Sequence, residues 1–183
     1  MVRMSGIIGL FLALFMTVGT IHAEEAVVTN GGFEEGLKGW SVSGVILPDE
    51  EFFYSGKAGA RLEGNPKGQV LLTQILPKLK PNTKYHLKFL VKTKDVVPNK
   101  QGTYYSCGVV GAIVNVYCGK NKNLFFPNKA FTGSMPWTVQ GFDFTSGEMG
   151  EGIAPSYIRL FLWESAGTAW FDDFVIEEVG TNG

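Results

Sequence analysis

Histidine and cysteine are scarce in this chain, with two of each in 183 residues. His22 lies in an apolar leader, which leaves His86 alone in the remainder. One histidine between Tyr85 and Leu87 makes no catalytic dyad, and no Gly-x-Ser-x-Gly elbow accompanies it. No His and Cys stand at zinc-ligand spacing. No glycine loop follows a strand and opens a helix, as phosphate cradling requires. Helical periodicity is also missing: after the leader, no window of about eleven residues repeats apolar positions every 3.6. An excess of positive charge is lacking too, with 16 Lys and Arg against 17 Asp and Glu. That balance argues against nucleic acid or an anionic membrane as partner, since both attract a basic surface.

Only one long hydrophobic run occurs, "IIGLFLALFMTVG" (Ile7–Gly19), preceded by Arg3 and followed by "TIHA" and Glu24-Glu25. Charge, apolar stretch and small residue in that order predict a secretory signal cleaved after Ala23. A retained membrane helix needs about 20 apolar residues, and this run falls short. Residues 1–23 are thus expected to be removed, 24–180 to form a single domain and 181–183 a tail. Losing Arg3 leaves 15 basic residues against 17 acidic, a net −2. The expected setting is extracellular or periplasmic, with no membrane contact after cleavage and a monomeric state.

Export favours pairing Cys107 with Cys118, but the local pattern resists it. "GAIVNVYC" (Gly111–Cys118) reads as a strand more than about 20 Å long, and Cys107 reaches about 14 Å along it. A disulfide needs Cα atoms within about 7 Å. Either the chain bends at Gly108 or Gly111, or both remain thiols; the spacing leans towards thiols.

What is abundant is glycine, 24 residues, together with aromatic side chains at 13%. Both suit turns and pleated surfaces. Short alternating runs separated by Gly, Pro and Asn predict an all-β sandwich. "YHLKFLVKT" sets Tyr85, Leu87, Phe89 and Val91 on one face. "SYIRLFLWE" sets Ile158, Leu160 and Leu162 against Tyr157, Arg159, Phe161 and Trp163. "WTVQGFDFT" alternates through Gln140, Phe142 and Phe144, and "AWFDDFVIEE" places Asp172, Phe174 and Ile176 in phase.

Four segments in order, "NGGFEEGLKGW", "YSGKAGARLEG", "LKPNTKYHLKFLVKT" and "AWFDDFVIEE", resemble the secreted carbohydrate-binding modules of families four, nine, sixteen and twenty-two. The likeness spans nearly all of Asn30–Glu178. It implies a two-sheet antiparallel jelly-roll sandwich of the galactose-binding type. "VVPNKQGTYYSCGVV" (Val96–Val110) is longer and more irregular than that pattern.

The resemblance also implies a structural calcium where the first strand meets the last. A hard cation takes six to eight oxygens, and glycines let the backbone turn its carbonyls inward. Carried over by residue, Glu34 and Asp172 supply carboxylates and Lys57 a main-chain oxygen. Glu35 stays solvated, Asp173 faces away from Asp172, and Trp40 plugs the core beneath.

Sugars present flat apolar faces and rings of hydroxyls, so a site for them needs aromatic platforms with polar groups at their edge. If Val114, Val116, Ile158, Leu160 and Leu162 point inward, then Asn115, Tyr117, Arg159, Phe161 and Trp163 share the outer sheet face. This predicts a non-catalytic module that binds polysaccharide or glycan by stacking. For Phe161, a place in a small second core competes with binding. Tyr104 and Tyr105 either rim the site or pin their loop. Two other readings stand beside this one. The first is a structural or adhesive exported sandwich that contacts protein. The second is a small glycoside hydrolase using two of Glu148, Glu151 and Glu164, although a glycine-rich loop places Glu148 and Glu151 poorly.

Overall fold

The structure is a computed structural model. It describes residues 26–77, 79–102, 110–118, 123–125 and 130–180. Residues 1–23, the predicted leader, and the tail 181–183 lie outside the described residues, as do Tyr104, Tyr105 and Cys107. Among the described residues, no helix is long and apolar enough to cross a membrane.

Ten strands form among the described residues: β1 (Ser41–Ser43), β2 (Ile46–Asp49), β3 (Gly59–Glu63), β4 (Gln69–Ile75), β5 (Lys84–Pro98), β6 (Gly111–Cys118), β7 (Asn123–Phe125), β8 (Gly133–Thr145), β9 (Tyr157–Trp163) and β10 (Ser165–Glu178). One sheet has the order β1-β4-β9-β6-β7 and the other β2-β3-β10-β5-β8. Every pairing within them is antiparallel. This is the all-β sandwich that the alternating pattern predicts, in the two-sheet jelly-roll form that the resemblance implies.

The core is the set of alternate positions that face between the sheets. Val70 and Leu72 of β4, Ile158, Leu160 and Leu162 of β9, and Ala112, Val114 and Val116 of β6 supply the first layer. Leu62, Leu87, Phe89, Val91, Ala169 and Phe171 answer from the second. Burying each large side chain here contributes about 1.5–3 kcal/mol. The rings of Phe89 and Phe174 stack at 5.2 Å with planes 2° apart. Trp40 is the core plug expected of it: it packs on Phe33 and Phe174, and its indole N–H donates to the carbonyl of Asn30.

One phase expectation fails. In β10 the register slips between Asp172 and Val175, and Asp173 sits at φ 50°. This bulge inserts a residue, so Phe171 and Phe174 both reach the core while Asp172 does not share their face. Instead Asp172 lies beneath the loop that follows β2, accepting the N–H groups of Tyr54 and Ser55 at 2.8 and 3.2 Å. Strict alternation cannot register an extra residue of this kind.

Cys118 is a buried free thiol, and burial pushes its pKa up. Gly111 takes a φ of 116°, a conformation that favours glycine. Thr132, Ala130 and the carbonyl of Phe131 would all meet a Cβ there at 3.0–3.1 Å.

Candidate functional site

The outer face of the first sheet is built by register. β9 lies between β4 and β6, so each outward residue of β9 has an outward neighbour on either side. Trp163 is flanked by Gln69 and Gly111, and Phe161 by Leu71 and Ile113. Arg159 is flanked by Thr73 and Asn115, and Tyr157 by Ile75 and Tyr117. The structure therefore brings Asn115, Tyr117, Arg159, Phe161 and Trp163 onto one face, as the alternation requires. Ile158, Leu160, Leu162, Val114 and Val116 are buried beneath them.

The face is not uniformly open. Phe161 is 3% exposed and Ile113 5%, and neither belongs to the main core between the sheets. Phe161 therefore anchors a second small apolar layer and tilts against Trp163, with ring centroids at 5.3 Å. Its ring has too little accessible area to stack a ligand. Trp163, Arg159 and Tyr117 are half-buried. Because Gly111 stands opposite Trp163, no side chain from β6 crowds the indole at that register position.

Alternation sets Tyr157 on this face but gives it no role. Its ring stacks on Tyr117 with centroids 4.6 Å apart and planes 4° apart. The Arg159 guanidinium carbon stands 4.2 Å from the centre of the same ring. Packed between Tyr117 and Arg159, Tyr157 orients both of them. Burial pushes its phenol pKa up, with Tyr117 adding to this and the Arg159 charge opposing it. No signal along one strand shows such a stack, because it depends on the register between β6 and β9.

At the centre of the face lies a pair of unmet polar atoms. Asn115 and Arg159 are direct cross-strand partners. Asn115 is 8% exposed. Its Oδ1 accepts no hydrogen bond, and the Nε of Arg159 donates none. Leaving such groups unmet costs about 1–3 kcal/mol each, and this one cross-strand row holds two of them, an acceptor and a donor.

The second expected site is the corner where the opening glycines meet β10. The Phe174 N–H donates to the carbonyl of Gly31 at 3.0 Å. A Cβ on Gly31 would lie 2.2 Å from the Phe174 carbonyl oxygen, so only glycine permits this approach. Gly32 faces three carboxyl side chains. A Cβ there would sit 3.4 Å from Asp173 Oδ1, 3.9 Å from Glu34 Cγ and 4.0 Å from Asp172 Oδ1. Asp173 thus converges with Asp172 instead of facing away from it, because the bulge turns both to one side.

Both carboxylate oxygens of Glu34 accept the Lys57 N–H at 3.1 Å, so it is through its amide that Lys57 meets Glu34. Asp172 is fully buried. Burial pushes its carboxyl pKa up, against the lowering effect of the Tyr54, Ser55 and Asp173 amides. Asp173 accepts the Ser55 hydroxyl at 2.8 Å. Glu35 is solvated and pairs with Lys38. Among the described residues, no group of three Asp, Glu, His or Cys closes tightly enough to hold an ion by side chains alone. A cation at this corner would therefore draw further ligands from main-chain oxygens.

Of the residues considered for hydrolysis, Glu148 and Glu151 are exposed on the loop after β8, while Glu164 is buried between β9 and β10. His86 is exposed and shares a hydrogen bond with Asp143 at 2.7 Å.

Residues 25–111 match the family model described as "Carbohydrate binding domain". No curated protein sequence matches the chain. Among solved structures, a family 16 carbohydrate-binding module is similar at 23% identity and TM-score 0.61, over 83% of this chain and 99% of that one. A xylan-binding domain of family 22 from Paenibacillus barcinonensis is similar at 20% identity and TM-score 0.55, over 82% and 93%. A family 61 module, solved in complex with β-1,4-galactotriose, follows at 16% identity and TM-score 0.57, over 85% and 100%. At these identities the structural likeness concerns the fold, and the family match covers the segment up to the start of β6. The fold that the four sequence segments imply therefore holds: the chain is a two-sheet jelly-roll sandwich, similar in fold to carbohydrate-binding modules, and its first part matches a carbohydrate-binding family model.

Proposed function

We propose that this chain is an exported, non-catalytic domain, monomeric in the medium or periplasm, that binds polysaccharide or glycan on the outer face of the first sheet. The observation that carries this reading is the Asn115–Arg159 pair, an unmet acceptor beside an unmet donor on a face with half-buried Trp163 and Tyr117. Sugar hydroxyls both donate and accept, so a saccharide seated on this face satisfies both atoms once a small side-chain shift uncovers them. The indole of Trp163 and the phenol ring of Tyr117 offer apolar area for stacking, each worth about 0.5–1.5 kcal/mol beyond the area buried. Phe161 supports Trp163 from beneath, and Tyr157 fixes Tyr117 and Arg159. Micromolar to millimolar affinity is the natural expectation for such a site.

The same reading places a structural calcium at the Gly32 corner, held by Glu34 and Asp172 with a main-chain oxygen of Lys57. Three carboxyl side chains converge there, and among the described residues no Lys or Arg is ion-paired with any of them. Bound calcium would neutralise the converging carboxylates and tie the opening loop to β10. It takes no part in contacting sugar.

Affinity electrophoresis of the purified mature domain in polysaccharide gels tests the binding reading. Trp163→Ala is expected to abolish retardation while leaving the melting curve near native. Undiminished retardation by that variant would remove Trp163 from the site, and absence of retardation by any polysaccharide would refute the function.

A further inference from the structure

The outer face of the first sheet carries very little charge. Across β1, β4, β9 and β6 its outward residues are Ser41, Ser43, Gln69, Leu71, Thr73, Ile75, and the eight residues of the four rows through β9 and β6 already described. Arg159 is the one charged side chain among them. The opposite sheet contrasts with this, since β5 alone presents Lys84, His86, Lys88, Lys92 and Lys94 at alternate positions. There, Lys84 and His86 pair with Asp143.

Arg159 has no such partner. Among the described residues no carboxylate forms an ion pair with it, and its Nε is buried and unmet. Stacking on Tyr157 holds the planar guanidinium in place. No Asp or Glu occurs between Glu63 and Asp95 or between Asp95 and Asp143, so β4 and β6 bring no acidic side chain to this face, and none of its outward residues on β1 and β9 is acidic.

A half-buried guanidinium without a counter-charge is costly unless something supplies one. Its fork of N–H donors matches a planar carboxylate in two-pronged geometry. From this we infer that the ligand is an acidic polysaccharide, one whose sugar units carry carboxylates. Arg159 grips the carboxylate, Asn115 Oδ1 accepts from a neighbouring hydroxyl, and Trp163 and Tyr117 hold sugar faces on either side. The inference rests on the glycan-binding reading and narrows it to uronic-acid polymers.

The test uses the mature domain in affinity gels containing polygalacturonate, alginate or a glucuronoxylan. Each polymer is used both native and after reduction of its carboxyl groups to neutral alcohols. At least one native polymer is expected to retard the domain tenfold or more beyond its reduced form, with the difference shrinking as salt screens the contact. Arg159→Gln should bring the native polymer down to the level of the reduced one. Arg159→Lys, which keeps the charge but not the fork, should fall between them. Equal retardation by native and reduced polymers overturns the inference, as does acid-selective retardation that survives Arg159→Gln. If Arg159→Gln does not fold, the native-against-reduced comparison on the unaltered domain decides alone. Binding to neutral glycans without acid preference refutes the inference but leaves the glycan reading standing. Retention by no polysaccharide, neutral or acidic, removes both.

Discussion

Replacing Asn115 by leucine should make the protein more stable and less able to bind, a combination that a purely structural asparagine cannot produce. In the folded chain Asn115 is 8% exposed, and its Oδ1 lies buried without a donor. The unmet acceptor costs about 1–3 kcal/mol. A leucine has the same branched outline but is bulkier; it removes that cost and adds apolar contact on the side of Ile113 and Phe161. With overpacking at the low end of its range on a sheet face outside the main core, about 1 kcal/mol, the net gain is about 1 kcal/mol. For a domain of this size, that raises the melting temperature by about 2–4 °C. Differential scanning calorimetry of the purified domain reads the shift, and affinity electrophoresis on the same samples reads binding, which should fall about tenfold or more. A variant that melts lower by the equivalent of 1 kcal/mol while binding normally would show Asn115 to be a structural residue, and the reasoning from its unmet oxygen would be wrong.

Other expectations concern the supports of the site. Phe161→Ala should cost about 3–5 kcal/mol in urea unfolding, as an emptied aromatic site does; a loss under 1 kcal/mol would place the ring outside any packed layer. Calcium at a hundred times its dissociation constant should stabilise the domain by about 2.7 kcal/mol relative to chelator, and identical melting curves would exclude the ion. Asp49 accepts the amides of Glu51 and Phe52 and the indole N–H of Trp170. Burial alone would raise its pKa, but these three donors and the Arg61 charge hold it below the usual carboxylate range. Its contribution is therefore present above about pH 3.9 and lost as pH falls through the lowered folded value. Asp49→Asn should flatten that acid-side loss and cost about 1–3 kcal/mol at neutral pH, because an amide nitrogen would face the Trp170 donor. An unchanged acid-side slope would contradict this.

Much of the site was legible because it rests on a two-residue period within single strands. Val114, Val116, Ile158, Leu160 and Leu162 are regularly spaced apolar residues, so their complements, Asn115, Tyr117, Arg159, Phe161 and Trp163, could be assigned to the other face without knowing which strands are neighbours. What alternation does not carry is the register between strands. The stack of Tyr157 on Tyr117 and the Asn115–Arg159 pair arise from β6 lying beside β9, an order that depends on the whole sandwich. Nor does alternation count an inserted residue, so it sets Asp172 in phase with Phe174, whereas the bulge at Asp173 separates them. The burial of Phe161 is not legible in the sequence, because an aromatic residue on an outer face looks the same there whether it is covered or not. The opening glycines were legible as a corner, but the need for glycine at position 31 follows from the Phe174 carbonyl, which is distant in the chain.

The claim that the first sheet's outer face receives a saccharide is tested most directly by titrating an isotopically labelled domain with a soluble uronic-acid oligosaccharide and following backbone amide shifts. The account predicts saturable changes at Asn115, Tyr117, Arg159 and Trp163, with Lys88 and Val139 on the opposite sheet unmoved. Changes confined to the opposite sheet, or spread evenly without saturation, would contradict it.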